Sequence, residues 1–171
     1  MIKTKWTYYL LAFVLIANLI VAYTSDENFK GEVSFELAYS ASYIFTEIRD
    51  LDNKPIYRTE IDSIIVLSKK DSLISSWKEV HKNDHEESFE YTAYIPDSLL
   101  VFKTIESSRG LKGEWTYRYD KASAIMFIQE TSTADTFFYK WVYTSIGRDA
   151  VLNKLRETLI NQLGKKSKET F

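Results

Sequence analysis

The chain has 171 residues, 22 Lys+Arg against 24 Asp+Glu, a formal net charge of −2 and no cysteine. Hydrophobic residues make up 45% and aromatic residues 15%, enough apolar mass for one core, which excludes a disordered or low-complexity chain. The slightly acidic balance argues against a protein that follows nucleic-acid phosphates, and the missing cysteines remove disulfides, thiolate metal sites and a cysteine nucleophile.

Charge is unevenly placed along the N-terminus. After Lys3 and Lys5 the next charged residue is Asp26, so Trp6–Ser25 is a run of twenty uncharged residues containing LLAFVLIANLIVAY. Twenty helical residues reach about 30 Å, the hydrocarbon thickness of a bilayer. Trp6, Tyr8 and Tyr9 at one end and Tyr23 at the other suit the two headgroup zones. The sequence therefore predicts a retained single-pass transmembrane helix over residues 6–25, inside an N-terminal unit of residues 1–25. A cleaved signal peptide is the first rival, but Val21-Ala22-Tyr23-Thr24-Ser25 offers no clear small-x-small cleavage site. A buried helix of a soluble fold is the second. Lys3 and Lys5 before the run, with Asp26 and Glu27 after it, put the N-terminus in the cytoplasm and the rest of the chain on the extracytoplasmic side.

Residues 25–171 form a 147-residue stretch of net charge −4 with no repeat and no long linker. Glu32–Ala38 alternates Val33, Phe35 and Leu37 against Glu32, Ser34 and Glu36, the period of a half-buried strand. Ser40 caps a short helix that places Ala41, Ile44, Phe45 and Ile48 on one side and ends near Arg49. Strand-like runs follow at 61–68, 73–82, 87–95, 99–106, 112–119 and 123–131, separated by short turn signals. Such short breaks imply hairpins, hence an antiparallel meander of six strands and seven in all. From Thr136 to Leu163 the period changes, with Trp141, Val142, Leu152, Leu155, Leu159 and Leu163 on one helical stripe. Asp135 suits its N-cap and Gly164 its stop, Gly147 marks a place for a kink or break, and residues 165–171 read as a basic tail.

This order of elements resembles the START-like superfamily, also called SRPBCC or helix-grip proteins, which includes polyketide cyclases and lipid-transfer domains. Locally Val33–Phe45 resembles the first strand and helix of polyketide-cyclase-type members, and Ser76-Trp77-Lys78-Glu79-Val80 their third strand. Gly113-Glu114-Trp115-Thr116-Tyr117-Arg118-Tyr119 resembles the sixth, and Ile128-Gln129-Glu130-Thr131 the seventh. Covering about residues 29–164, the resemblance implies an α+β fold in which a seven-stranded, antiparallel, curved sheet wraps around the long C-terminal helix. It also implies an apolar cavity between them that accepts lipids, sterols or polyketides.

Candidate cavity residues follow from the strand faces. Phe89 and Tyr91 share a face with Ala93 and Ile95, and Trp115 and Tyr117 share one with Tyr119. Together with Phe102, Phe127 and the helical Trp141, Leu152 and Leu155, they are the expected wall. The same rings can simply fill the core, and both readings stay open here. Glu130 is the one weak acid–base candidate, because Met126 and Ile128 share its strand face; the alternative is a strand-end carboxylate paired with Arg118 or a lysine. His81 and His85 in HKNDH are read as a solvated turn rather than a metal site. DLDNKP begins like a calcium loop, but Pro55 and Ile61 stand where Gly and Glu are required. No metal, cofactor or nucleic-acid partner is expected. The leading function is a membrane-anchored domain that binds a hydrophobic small molecule or lipid without catalysis. A polyketide-cyclase-like enzyme and an interaction module of the cell envelope are the alternatives.

Overall fold

Period-two alternation builds the first strand, β1 (Asn28–Glu36), in which Phe29, Gly31, Val33 and Phe35 turn inward while the residues between them are exposed. Phe29 extends the alternation, so the strand starts before the Glu32 expected. Here the fold is that of a computed structural model, which describes residues 2–24, 28–54, 58–71, 73–134, 140 and 148–169. The side chain of Ser40 accepts the Tyr43 amide at 3.3 Å and opens the helix α2 (Ala41–Arg49), which buries Ile44 and Phe45.

Six further strands run in chain order: β2 (Ile61–Lys70), β3 (Leu73–His81), β4 (Glu86–Ile95), β5 (Leu99–Ser107), β6 (Leu111–Asp120) and β7 (Ile125–Ala134). Each pairs antiparallel with the next, and β1 closes antiparallel onto β7, giving the order β1-β7-β6-β5-β4-β3-β2 with β1 and β2 at the edges. Asp71, Asp84, Asp97 and Gly110 take positive φ at the tight turns, where short polar residues and glycine tolerate left-handed backbone. The expected meander and its hairpin breaks are therefore present.

The last helix, α3 (Arg148–Glu169), packs on β1, β7 and α2. Tyr43 Oη donates to the Leu163 carbonyl at 3.3 Å and Gln162 Nε2 to the Glu47 carbonyl at 2.7 Å, tying α3 to α2. At Gly31 the helix comes so close that a Cβ would stand 2.7 Å from Leu152 Cδ1. One expectation fails here: α3 continues through Gly164 to Glu169, so Gly164 is not its stop and Lys165–Glu169 is helix, not a loose tail. An interior glycine costs a helix only about 1 kcal/mol, and the Lys-rich turns beyond are good helix formers. Asp135, Trp141 and Gly147 lie outside the described residues.

A dry core lies between α2, α3 and the β1-β7-β6 side of the sheet, where Ile44, Phe45, Leu100, Met126, Ile128, Leu152 and Leu163 are each at most 1% exposed. Among the described residues, all core residues fall between Phe29 and Leu163, and none comes from the N-terminal helix α1 (Ile2–Thr24). Among the described residues no helix is long and apolar enough to cross a membrane, and the transmembrane helix expected over residues 6–25 is not borne out as such. Among the side chains described in α1, Trp6 to Ile20, the polar Thr7, Tyr8, Tyr9 and Asn18 dilute the apolar content. Apart from the half-buried Ala17, every one of these side chains is exposed.

Candidate functional site

The alternation that builds the sheet also builds a wall. On β3 the residues Trp77, Glu79 and His81 are buried on one face. Register then carries that face across the sheet: Trp77 pairs with Phe89, Glu79 with Glu87, Tyr91 with Phe102, Phe102 with Trp115, and Trp115 with Glu130. Opposite stand Val151, Lys154, Leu155, Thr158, Leu159 and Gln162 of α3. Between wall and helix is a cavity of about 620 Å³ whose lining reaches the exposed Lys82 and Asn83 at the β3–β4 turn.

Its floor is a lattice of rings. Trp77 stacks on Phe89 at 5.4 Å and meets Tyr91 at 4.7 Å, while Phe102 stacks on Trp115 at 5.5 Å and on Tyr117 at 5.9 Å. Offset and edge contacts of this kind add about 0.5–1.5 kcal/mol per pair beyond the area buried, which holds the rings in place. Gly113 makes room for one of them, because a Cβ there would lie 2.5 Å from the Trp115 indole.

A buried charge cluster stands at the edge of this floor. Glu79 is 1% exposed; its Oε1 pairs with Lys54 Nζ and accepts from Trp77 Nε1 at 3.1 Å, and its Oε2 pairs with Arg58 Nη1 at 3.0 Å. Arg58 Nε also holds Glu60 at 2.9 Å. Desolvation alone would push the Glu79 carboxyl up, but Lys54 and Arg58 beside it prevail and hold it at about 2. Burial lowers the Lys54 ammonium from its ordinary range against the pull of Glu79. Burial also pushes the Tyr117 hydroxyl up to about 12 and raises Tyr91, so both phenols stay protonated and available as donors.

Of the expected wall, Phe89, Tyr91, Phe102, Trp115, Tyr117 and Leu155 line the cavity. Phe127 does not: it points to the outer face, as its neighbours Met126 and Ile128 point inward, and Arg118 covers its ring at 3.9 Å. Leu152 is also not lining; it is spent in the dry core against Gly31. Trp141 lies outside the described residues. Glu130 does line the cavity at 3% exposure and accepts from Ser132 Oγ at 2.9 Å. Arg118, the suggested partner of Glu130, sits on the other face.

His81 corrects a second expectation. The exposed turn is Lys82, Asn83 and Asp84, whereas His81 ends β3 at 7% exposure, lines the cavity and faces Glu87 Oε2 at 3.6 Å. Among the described residues no three His, Cys, Asp or Glu side chains group as metal ligands. Sequence reading missed Lys54, Arg58 and Glu79 as site residues. The available signal was the alternation Trp77-x-Glu79-x-His81, which sets a carboxylate on the same strand face as a tryptophan.

No family model matches the chain, and neither does any curated protein. Solved structures do. A START superfamily protein from Mycobacterium smegmatis superposes with a TM-score of 0.62 at 12% identity, covering 82% of this chain and 99% of that one. The di-domain ARO/CYC StfQ of the steffimycin biosynthetic pathway gives 0.60 at 11% identity over 82% of this chain, which spans about half (52%) of that protein. Norcoclaurine synthase from Thalictrum flavum, solved with dopamine and hydroxybenzaldehyde, gives 0.58 at 12% identity, covering 85% and 91%. Seven antiparallel strands in this order, gripping a C-terminal helix across a cavity, and these superpositions together establish that the chain has the START-like, helix-grip fold.

Proposed function

We propose that the protein binds a hydrophobic small molecule or lipid in the cavity between sheet and α3, and does no chemistry on it. One observation carries the reading: the cavity of about 620 Å³ is walled by Trp77, Phe89, Tyr91, Phe102, Trp115 and Tyr117. Ligand sites usually measure about 300–1,000 Å³ and combine an apolar wall with a few polar groups. Native mass spectrometry of a chain beginning at Ser25 tests it. A small molecule that co-purifies, and is lost when Trp115 and Phe102 are replaced by alanine, is the expected result; a chain that never carries or takes up any apolar compound ends the reading.

We propose further that α1 meets a membrane. The uncharged run Trp6–Ser25, the exposed apolar side chains of α1 and a core that, among the described residues, takes none of them support a helix whose apolar surface sits in lipid. In this reading Lys3 and Lys5 stay cytoplasmic and the domain lies on the extracytoplasmic side. Tethering would raise the domain's concentration where a lipid-like ligand partitions. Fractionation of the full chain should leave it in the membrane pellet and release the chain beginning at Ser25. Recovery of both in the soluble fraction would discard the anchor, and protease access from each side reads the orientation.

A second reading, a cyclase-like enzyme, draws support from the Lys54–Glu79–Arg58 cluster beside two buried phenols, since general acid–base work needs such groups in an apolar site.

A further inference from the structure

We propose that the ligand of this cavity is an amphipath with an anionic head, seated at the mouth among His81, Lys82, Arg109 and Lys154 with its apolar body on the aromatic wall. The inference rests on the ligand-binding reading and narrows it to one chemical class.

The mouth forms where the β3–β4 turn, the β5–β6 turn and the first turns of α3 meet. Backbone contacts hold it together: the Lys82 amide donates to the Glu60 carbonyl at 3.0 Å. Arg109 Nη2 donates to Asn83 Oδ1 at 3.3 Å. Lys154 follows Val151 by nearly one helical turn, and both line the cavity. His81 supplies the independent sign of a ligand. Its side chain is 8% exposed and its Nε2 has no hydrogen-bond partner, because Glu87 Oε2 at 3.6 Å is out of reach. A buried polar atom left unpaired costs about 1–3 kcal/mol, a deficit that an oxygen-bearing head would remove.

The lining carries as many carboxylates as cations, so placement decides the charge preference. Glu79 is held by Lys54 and Arg58, and Glu60 by Arg58. Glu87, Asp50 and Glu130 accept from the neutral donors Ser107 Oγ, Asn53 Nδ2 and Ser132 Oγ and keep their charge, with Glu87 Oε2 3.6 Å from His81 Nε2. Lys82 and Lys154, by contrast, have no carboxylate within 4.0 Å among the described residues; Lys154 acts on Glu60 only through space. Deeper in, Lys54 Nζ already lies 5.2 Å from the Trp77 ring centre and 5.9 Å from that of Phe102. A ligand ammonium would meet a like charge on the ring faces that cations prefer. Cationic ligands are therefore disfavoured inside, and anionic heads are favoured at the mouth.

The test uses two fluorescent probes of one skeleton, anilinonaphthalene sulfonate and the uncharged phenylnaphthylamine, titrated into the chain beginning at Ser25. Replacing both mouth lysines (Lys82→Gln with Lys154→Gln) should weaken the sulfonate roughly tenfold and the amine less than about twofold, since two charge contacts of up to about 1 kcal/mol each are removed. Salt should weaken only the sulfonate. Lys69→Gln, on an exposed part of β2 outside the mouth, should change neither. Equal effects on both probes, or an equal loss from Lys69→Gln, would overturn the proposal. If the amine binds and the sulfonate does not, the anionic head fails while the ligand-binding reading stands; if neither binds, both fall.

Discussion

The two ends of the space beneath α3 are walled by the same sheet, yet one is closed and the other hollow. Toward β1 and β7, Met126, Ile128, Leu152 and Leu163 reach 1% exposure or less. Toward β3, β4 and β5, larger and more numerous rings surround a cavity of about 620 Å³. The number of aromatic residues does not set the difference. At the closed end Gly31 lets the helix backbone approach until Leu152 fills the gap. At the open end the rings brace one another, and the charges of Lys54, Arg58 and Glu79 are paired with one another at the edge of the wall.

Three substitutions and one change of condition break or sharpen this contrast. The largest effect is expected from Glu79→Gln, which strands Lys54 and leaves Arg58 with Glu60 alone, and should cost about 3–5 kcal/mol in urea unfolding. An unchanged midpoint would mean that the cluster is not a structural unit. Next, Leu152→Ala at the closed end should cost about 3 kcal/mol, because it opens a cavity in packed surroundings, whereas Leu155→Ala should cost about 1, since its side chain borders space already open. Equal losses would show that the two ends pack alike. Acid probes the charge cluster without a substitution. Glu79 titrates at about 2 when folded against an ordinary 4.5, so its stabilisation is complete above about pH 5 and drains as the pH falls through 2. The loss should be on the order of 3 kcal/mol, read from stability against pH, and absent in Glu79→Gln.

Much of the wall was legible beforehand. Phe89, Tyr91, Phe102, Trp115 and Tyr117 sit on alternating positions of strands with clear turns, and period two assigns them a common face once hairpins are accepted. Phe127 was misplaced although the same rule puts it opposite Met126. Leu152 and Leu155 share a helical stripe, and nothing in that stripe says which of them meets Gly31 and which meets open space. Lys54 and Arg58 were hidden because they stand in the polar segment between α2 and β2, where charged residues ordinarily face water.

The sequence by itself determined the order of strand, helix, six strands and helix, the inward face of each strand, and the uncharged N-terminal run. These are local properties, set by side-chain period, turn chemistry and charge spacing. Only the tertiary structure decided that a cavity remains, that Lys54 and Arg58 converge on Glu79 across 25 and 21 positions of chain, and that His81 is buried at its mouth. Such facts depend on how closely α3 approaches each part of the curved sheet, a distance that packing in three dimensions sets and no single segment encodes.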